Sequence, residues 1–192
     1  MFRLIMLVVL IGCGSVSGYH RRRARQQKET IARSREGGWM MAFRLVVALP
    51  LFLGVLTTIV MPGWMSWAEL PLPAWLRWVG AGLGILAIPS VAWTLGSLGA
   101  NVSETVLTKK DHELVTIGPY RWIRHPLYTT GIVMFVGLGL MSASGFILAI
   151  TLVTVVAVRL VVIPREERAL EAKFGQQYAD LRQRTGALLP RL

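Results

Sequence analysis

Residues 127–158 read LYTTGIVMFVGLGLMSASGFILAITLVTVVAV, a run of 32 residues without one charged side chain. As a single helix it would be about 48 Å long at 1.5 Å per residue, and the hydrocarbon core of a bilayer is only about 30 Å thick. The run must therefore fold back on itself. Ser142-Ala143-Ser144-Gly145, near its middle, is the natural turn. This gives a hairpin, with one span near Leu127 to Met141 and another near Phe146 to Ile163. Both are short, which suits a tilted or partly buried pair.

Outward from the hairpin the same logic recurs. Of the 192 residues 54% are hydrophobic and 16% charged, and the mean hydropathy is +0.53. Soluble domains carry about 25% charged residues. The charges are also clumped between long apolar tracts, the pattern of an all-α integral membrane protein. Further spans are expected near Phe2 to Tyr19 (short and marginal), Trp39 to Met61 and Leu76 to Leu98, making about five. A single membrane domain is the simplest organisation, with N-terminal spans over 1–98 and a chemically richer region over 99–192. Gly80 and Gly84, with Gly131, Gly137 and Gly139 on the fourth span, are placed for close helix contact. Kinks are expected at Pro50 and Pro89.

The net charge is +11. The basic residues sit beside apolar spans, so charge-biased orientation and anionic lipid explain them better than nucleic acid does. Eight Lys or Arg lie between Tyr19 and Leu45, four between Asn101 and Pro126, and seven from Arg159 onward, which is 19 of 21. Five spans with the N-terminus outside put all three segments in the cytoplasm. Trp64, Trp67, Trp75 and Trp78 then ring the outer loop, where indoles favour the interface. The lone Cys13 allows no internal disulfide. Leu10-Ile11-Gly12-Cys13 resembles a lipoprotein cleavage box. Export would carry Arg21, Arg22, Arg23 and Arg25 outside, against the charge bias, so Cys13 is expected to be a buried, inert thiol.

Polar chemistry is concentrated at the two ends of the hairpin. Before it stands Gly118-Pro119-Tyr120-Arg121-Trp122-Ile123-Arg124-His125-Pro126-Leu127-Tyr128, and after it Arg159, then Arg165-Glu166-Glu167-Arg168. Pro126 suits the first turn of a helix, whose free N–H groups beside His125 could receive a carboxylate. Because a hairpin's ends are neighbours, His125, Tyr128, Arg165 and Glu166 fall within reach of one ligand. Together they offer a carboxylate for an ammonium, donors for a carboxylate, and aromatic faces for a ring or sulfonium. That is the outline of an amino-acid-bearing cofactor. Two plainer readings stand beside this one. Arg121, Trp122, Arg124 and Tyr128 can serve as interface anchors, and Glu167 with Glu171 as a solvated helix face. There is no GxGxxG after a strand, P-loop, HExxH or Cys/His set. His112 and His125 are thirteen apart and His20 is remote, so no metal is expected.

HELVTIGPYRWIRHPLYTTG (112–131), the hairpin, and EERALEAKFGQQYADLRQRTGALLP (166–190) together resemble the isoprenylcysteine carboxyl methyltransferase family. The related phospholipid methyltransferases share the RHPxY and EE signature. The resemblance covers about Trp93 to Pro190 and includes Phe174-Gly175-x-x-Tyr178. It implies an integral membrane methyltransferase dependent on S-adenosylmethionine, with a cytoplasmic cofactor pocket formed by the last hairpin and the C-terminal tail. A lipid or lipophilic small molecule would enter from the bilayer. By motif position, His112, Glu113, Leu114 and Val115 would line the cofactor pocket and Tyr120 would pack on the cofactor. Arg124, His125, Pro126, Leu127 and Tyr128 would surround its amino-acid end, and Glu166 would hold its ammonium. Eukaryotic members carry a substrate arginine shortly before this acid. Val161-Val162-Ile163-Pro164 stands there in this chain, leaving Arg159 or Arg165 as the substitute. Glu166 or Glu167 could accept a proton from an amine acceptor.

The short chain and compact basic loops look prokaryotic, which points to a bacterial inner membrane and to small-molecule or lipid acceptors over a prenylated protein. The acceptor's reacting group, an isoprenylcysteine-like carboxylate or a lipid amine, stays open, as does oligomeric state. The alternative is a catalytically inactive family member acting as a membrane assembly subunit. A transporter would want ionisable groups near the midplane, and the hairpin has none.

Overall fold

In a computed structural model, residues 1–27, 38–99 and 114–191 are described. Helix α1 runs Phe2–Gln27, α2 Gly38–Val60, α3 Ala74–Leu98, α4 Pro126–Ser142 and α5 Gly145–Ala157. A wide turn over Val158–Val162 leads into α6, Ile163–Phe174, and then α7, Gln176–Arg184. Short 3-10 turns cover Pro62–Ala68 and Gly118–Arg121. Among the described residues the architecture is all-helical. Three helices are long and apolar enough to cross a membrane: Phe2–Gln26, Ala74–Leu98 and the continuous Gly145–Phe174. Leu45–Val60 and Pro126–Ser142 are shorter apolar helices.

The fold-back falls at the expected tetrad. Ala143 takes a left-handed conformation (φ 55°) that ends α4, and Ser144 caps α5 by accepting from the Ile147 amide at 3.3 Å. The preceding connection braces this turn from outside, since the Leu70 amide donates to Ala143 O at 2.7 Å.

The α3–α4 contact is made by absent side chains. A Cβ on Gly80 would stand 2.6 Å from the Met141 amide nitrogen and 2.7 Å from Gly137 O. One on Gly137 would stand 2.8 Å from both Gly80 O and Gly84 N. Backbones this close gain dispersion along the whole seam, the main attraction available between helices in lipid. Gly82 and Gly131, by contrast, face open space. At the α3 N-terminal end, Arg77 Nε donates to Met141 O at 3.1 Å and its guanidinium lies 4.5 Å from the Phe2 ring centroid. It thereby satisfies one of the carbonyls that the end of α4 leaves bare.

Two helices run on past the expected spans. The first carries on beyond Tyr19 through Arg25, because the end of an apolar stretch does not end a helix rich in good helix formers. The helix of the fifth span continues beyond Ile163 as well. Pro164 supplies no N–H and its ring would clash with the carbonyl four residues back. The chain widens over Val158–Val162 and continues as α6. Glu166 and Glu167 thus ride on the same rod as the apolar hairpin. Pro50 and Pro89 lie inside α2 and α3, which run on through them. Cys13 is buried and free.

Candidate functional site

The α4 entry and α6 meet at the end of the bundle opposite Arg77. His125 precedes α4, and Pro126, buried at its first turn, fixes where the helix starts. The His125 ring is buried between two carboxylates. Its Nδ1 lies 3.2 Å from Glu166 Oε2 and its Nε2 3.4 Å from Glu167 Oε1. The latter contact is too poorly aligned to be a hydrogen bond. The Tyr128 hydroxyl, one turn into α4, donates to Glu166 Oε1 at 2.6 Å. Of the four residues expected within reach of one ligand, His125, Tyr128 and Glu166 are joined in one cluster, and Arg165 precedes Glu166 on α6.

Glu167 faces the other way. It accepts from Arg124 Nε at 2.8 Å and has Arg182 Nε at 3.9 Å. Burial alone would raise its pKa, but His125 and Arg124 beside it hold it at about 2. Burial works against a charged His125, yet the two glutamates beside it win, and its pKa lies above the ordinary 6.5. Burial, then the Glu166 charge, pushes the Tyr120 hydroxyl up. Burial, then Glu167, does the same for Tyr178 on α7.

The remaining candidates divide. Leu114 and Val115 are half-buried in irregular chain before the 3-10 turn, and Tyr120 is buried within that turn. Leu127 packs against the apolar core. Arg165 sits on α6 beside Glu166, whereas Arg159 is exposed on the wide turn, about 10 Å along the helix from Glu166 by ordinary rise. His112 and Glu113 lie outside the described residues. Arg121 and Trp122 stand apart from the cluster: the guanidinium lies 4.9 Å from the Trp122 ring, which meets Trp93 of α3 edge-on at 6.1 Å.

The resemblance gave the C-terminal tail a place at the pocket, but sequence reasoning singled out no residue within 185–188. Arg124 and His125 amides donate to Gly186 O (2.9 Å) and Ala187 O (3.0 Å), and the Gly186 amide donates to Trp122 O (3.2 Å). Thr129 Oγ1 donates to Leu188 O at 2.6 Å. Arg124 Nη1 also donates to Thr185 O. Residues 185–188 are thus zipped along the strip that presents His125. At Gly186 any Cβ would collide with Leu189 O, so only glycine fits. That Thr-Gly step was the available signal.

The sequence profile described as phospholipid methyltransferase matches residues 75–177. The cobalt-zinc-cadmium resistance protein CzcN of Cupriavidus metallidurans is 35% identical over 127 residues, covering 60% of this chain and 55% of that one. Methanethiol S-methyltransferase of Mycobacterium tuberculosis is 38% identical over 71 residues, covering 37% and 28%. The chain therefore spans about half the length of CzcN, and less of the second relative. A solved structure of the eukaryotic intramembrane Ras methyltransferase ICMT matches with a TM-score of 0.57 at 24% identity, covering 97% of this chain and 67% of that one. That likeness concerns the fold. The family profile spans more than half of the chain, including both halves of the His125 cluster, and the chain belongs to the phospholipid methyltransferase family.

Proposed function

We propose that this chain is an integral membrane methyltransferase. It uses S-adenosylmethionine at the α4–α6 end of the bundle and methylates a lipophilic acceptor. The observation that carries the reading is the joining of His125, Tyr128 and Glu166 into one cluster at the mouth of the hairpin. The donor set fits the amino-acid end of such a cofactor. Glu166 is the more accessible of the two acids, its side chain 19% exposed against 12% for Glu167. A carboxylate has about four lone-pair directions, so the bonds from Tyr128 and His125 leave room for an ammonium. Its neighbour already has three cationic or donor groups around it, Arg124 at 2.8 Å, His125 at 3.4 Å and Arg182 at 3.9 Å.

When bound, the cofactor supplies an activated methyl on a sulfonium, which passes in line to a nucleophile as the sulfonium becomes a thioether. The chain's own task is orientation and exclusion of water. Tyr128 and His125 fix the Glu166 carboxylate, Tyr120 walls the site, and the apolar hairpin offers an approach from the bilayer. A carboxylate acceptor is ionised at neutral pH and needs only a positioning cation, for which Arg165 on α6 and Arg159 on the wide turn are the candidates. An amine acceptor must lose a proton. Glu167, held at about 2 by its partners, is a poor proton acceptor near neutrality.

Five spans, with the N-terminus outside and the cluster cytoplasmic, follow from the bias of basic residues. A bacterial inner membrane fits this arrangement. The testing experiment is calorimetric titration of the detergent-purified protein with S-adenosylhomocysteine. Binding is expected, and Glu166→Ala should lower it at least a hundredfold. A folded protein that does not bind would sink the reading.

A further inference from the structure

Arg124 was grouped with the cofactor ligands by its motif, yet its side chain points elsewhere. It is 9% exposed, and it spends its donors on Glu167 Oε1, on Thr185 O and, at 3.3 Å, on Arg182 O. Its side chain thus reaches both the acidic pair and the C-terminal segment. From there residues 185–188 run beside residues 122–125 with amide bonds in both directions.

We propose that Arg124 is a positioning residue that fastens the segment Thr185–Leu188 against His125 and thereby sets where the imidazole stands. The inference rests on the cofactor reading above, but the fastening can be judged without it. The physical argument is one of accounting. The His125 backbone is fixed by Ala187 O on one side and by the start of α4 on the other. The ring it carries stands between the two acids, Nδ1 toward Glu166 and Nε2 toward Glu167. Arg124 fixes the Glu167 carboxylate from 2.8 Å and so fixes one of the two walls that set the ring. Without Arg124, the Thr185 and Arg182 carbonyls lose a charged donor, and Glu167 is free to shift and take the imidazole with it. The groups facing this centre are Arg124 and Tyr128 flanking and on α4, Glu166 and Glu167 on α6, Tyr178 and Arg182 on α7, and Tyr120 in the 3-10 turn.

A tail that merely covers the protein would loosen on substitution without changing how binding depends on pH. A tail that sets the ring would change it. Arg124→Gln removes a cation beside both His125 and Glu167, so the Glu167 pKa should rise and a new acidic limb should enter the pH profile of binding.

The test uses full-length protein in detergent and two readouts. In hydrogen exchange, Arg124→Gln should expose the amides of residues 122–125 and 185–189 while the α3–α4 seam stays protected. In titration with S-adenosylhomocysteine it should bind at least tenfold more weakly, with the added acidic limb. Arg124→Lys should restore at least part of the affinity. Arg184→Gln, exposed at the end of α7, should stay within about fivefold. Continued protection of 185–189 in Arg124→Gln overturns the proposal, and so does release of the tail with unchanged affinity or an unchanged pH profile. If the wild type itself binds no S-adenosylhomocysteine, the cofactor reading fails instead, and the exchange readout still decides whether Arg124 holds the tail.

Discussion

The two ends of α4 are held by opposite means. Toward its C-terminus, Gly137 meets Gly80 and Gly84 of α3, and there the fit depends on what is missing. At its N-terminus, His125 and Arg124 meet Glu166, Glu167 and the tail, and the fit depends on charge. The first arrangement tolerates no added atom and is indifferent to pH. The second tolerates small shifts in shape but answers to protons. The proposed activity would benefit from this separation, because a rigid apolar seam can carry a polar site whose contacts must rearrange when a ligand arrives.

The contrast can be broken most severely at the seam. Gly80→Leu should cost about 3 kcal/mol or more, since even its Cβ would stand 2.6 Å from backbone. Loss of the folded, monodisperse protein on size exclusion is the expected result. A folded Gly80→Leu protein would mean that the seam is not as close as described.

The polar end should respond to pH with a moderate amplitude. The raised His125 pKa means a contribution to stability that is complete below 6.5 and fades as pH climbs through the folded value. The lowered Glu167 pKa means a contribution complete above 4.5 and lost as pH falls toward about 2. Melting followed by intrinsic fluorescence should peak between these limbs. His125→Gln should flatten the alkaline limb, worth about 1 kcal/mol, while leaving the acidic one. An alkaline limb unchanged in His125→Gln would place that proton elsewhere. The smallest effect belongs to Gly82, two residues from Gly80 but facing open space. Gly82→Leu should stay within about 0.5 kcal/mol of wild type in the same melt, and a large loss would reveal a contact that the bundle does not contain.

What the sequence made legible follows from how local each signal is. The turn at Ser142–Gly145 was readable because a long uncharged run must fold back and small residues mark where. The meeting of His125 and Tyr128 with Glu166 followed from hairpin geometry alone, and the seam from glycine spacing. The extension of α1 past Tyr19 was not legible, because hydropathy reports the thickness of lipid and not the end of a helix. The zip of residues 185–188 onto 122–125 was not legible either. It is made by backbone groups across some 60 residues of sequence and leaves no periodicity. The split between the two glutamates was equally hidden, since adjacent acids look alike until neighbours such as Arg124 and Arg182 choose one of them.

The most direct test is a structure of the protein with S-adenosylhomocysteine bound. The account predicts the ligand's ammonium within about 3 Å of the Glu166 carboxylate, near His125 and Tyr128, with Glu167 still held by Arg124. Ligand seated away from α6, or an ammonium paired with Glu167 in place of Glu166, would contradict it.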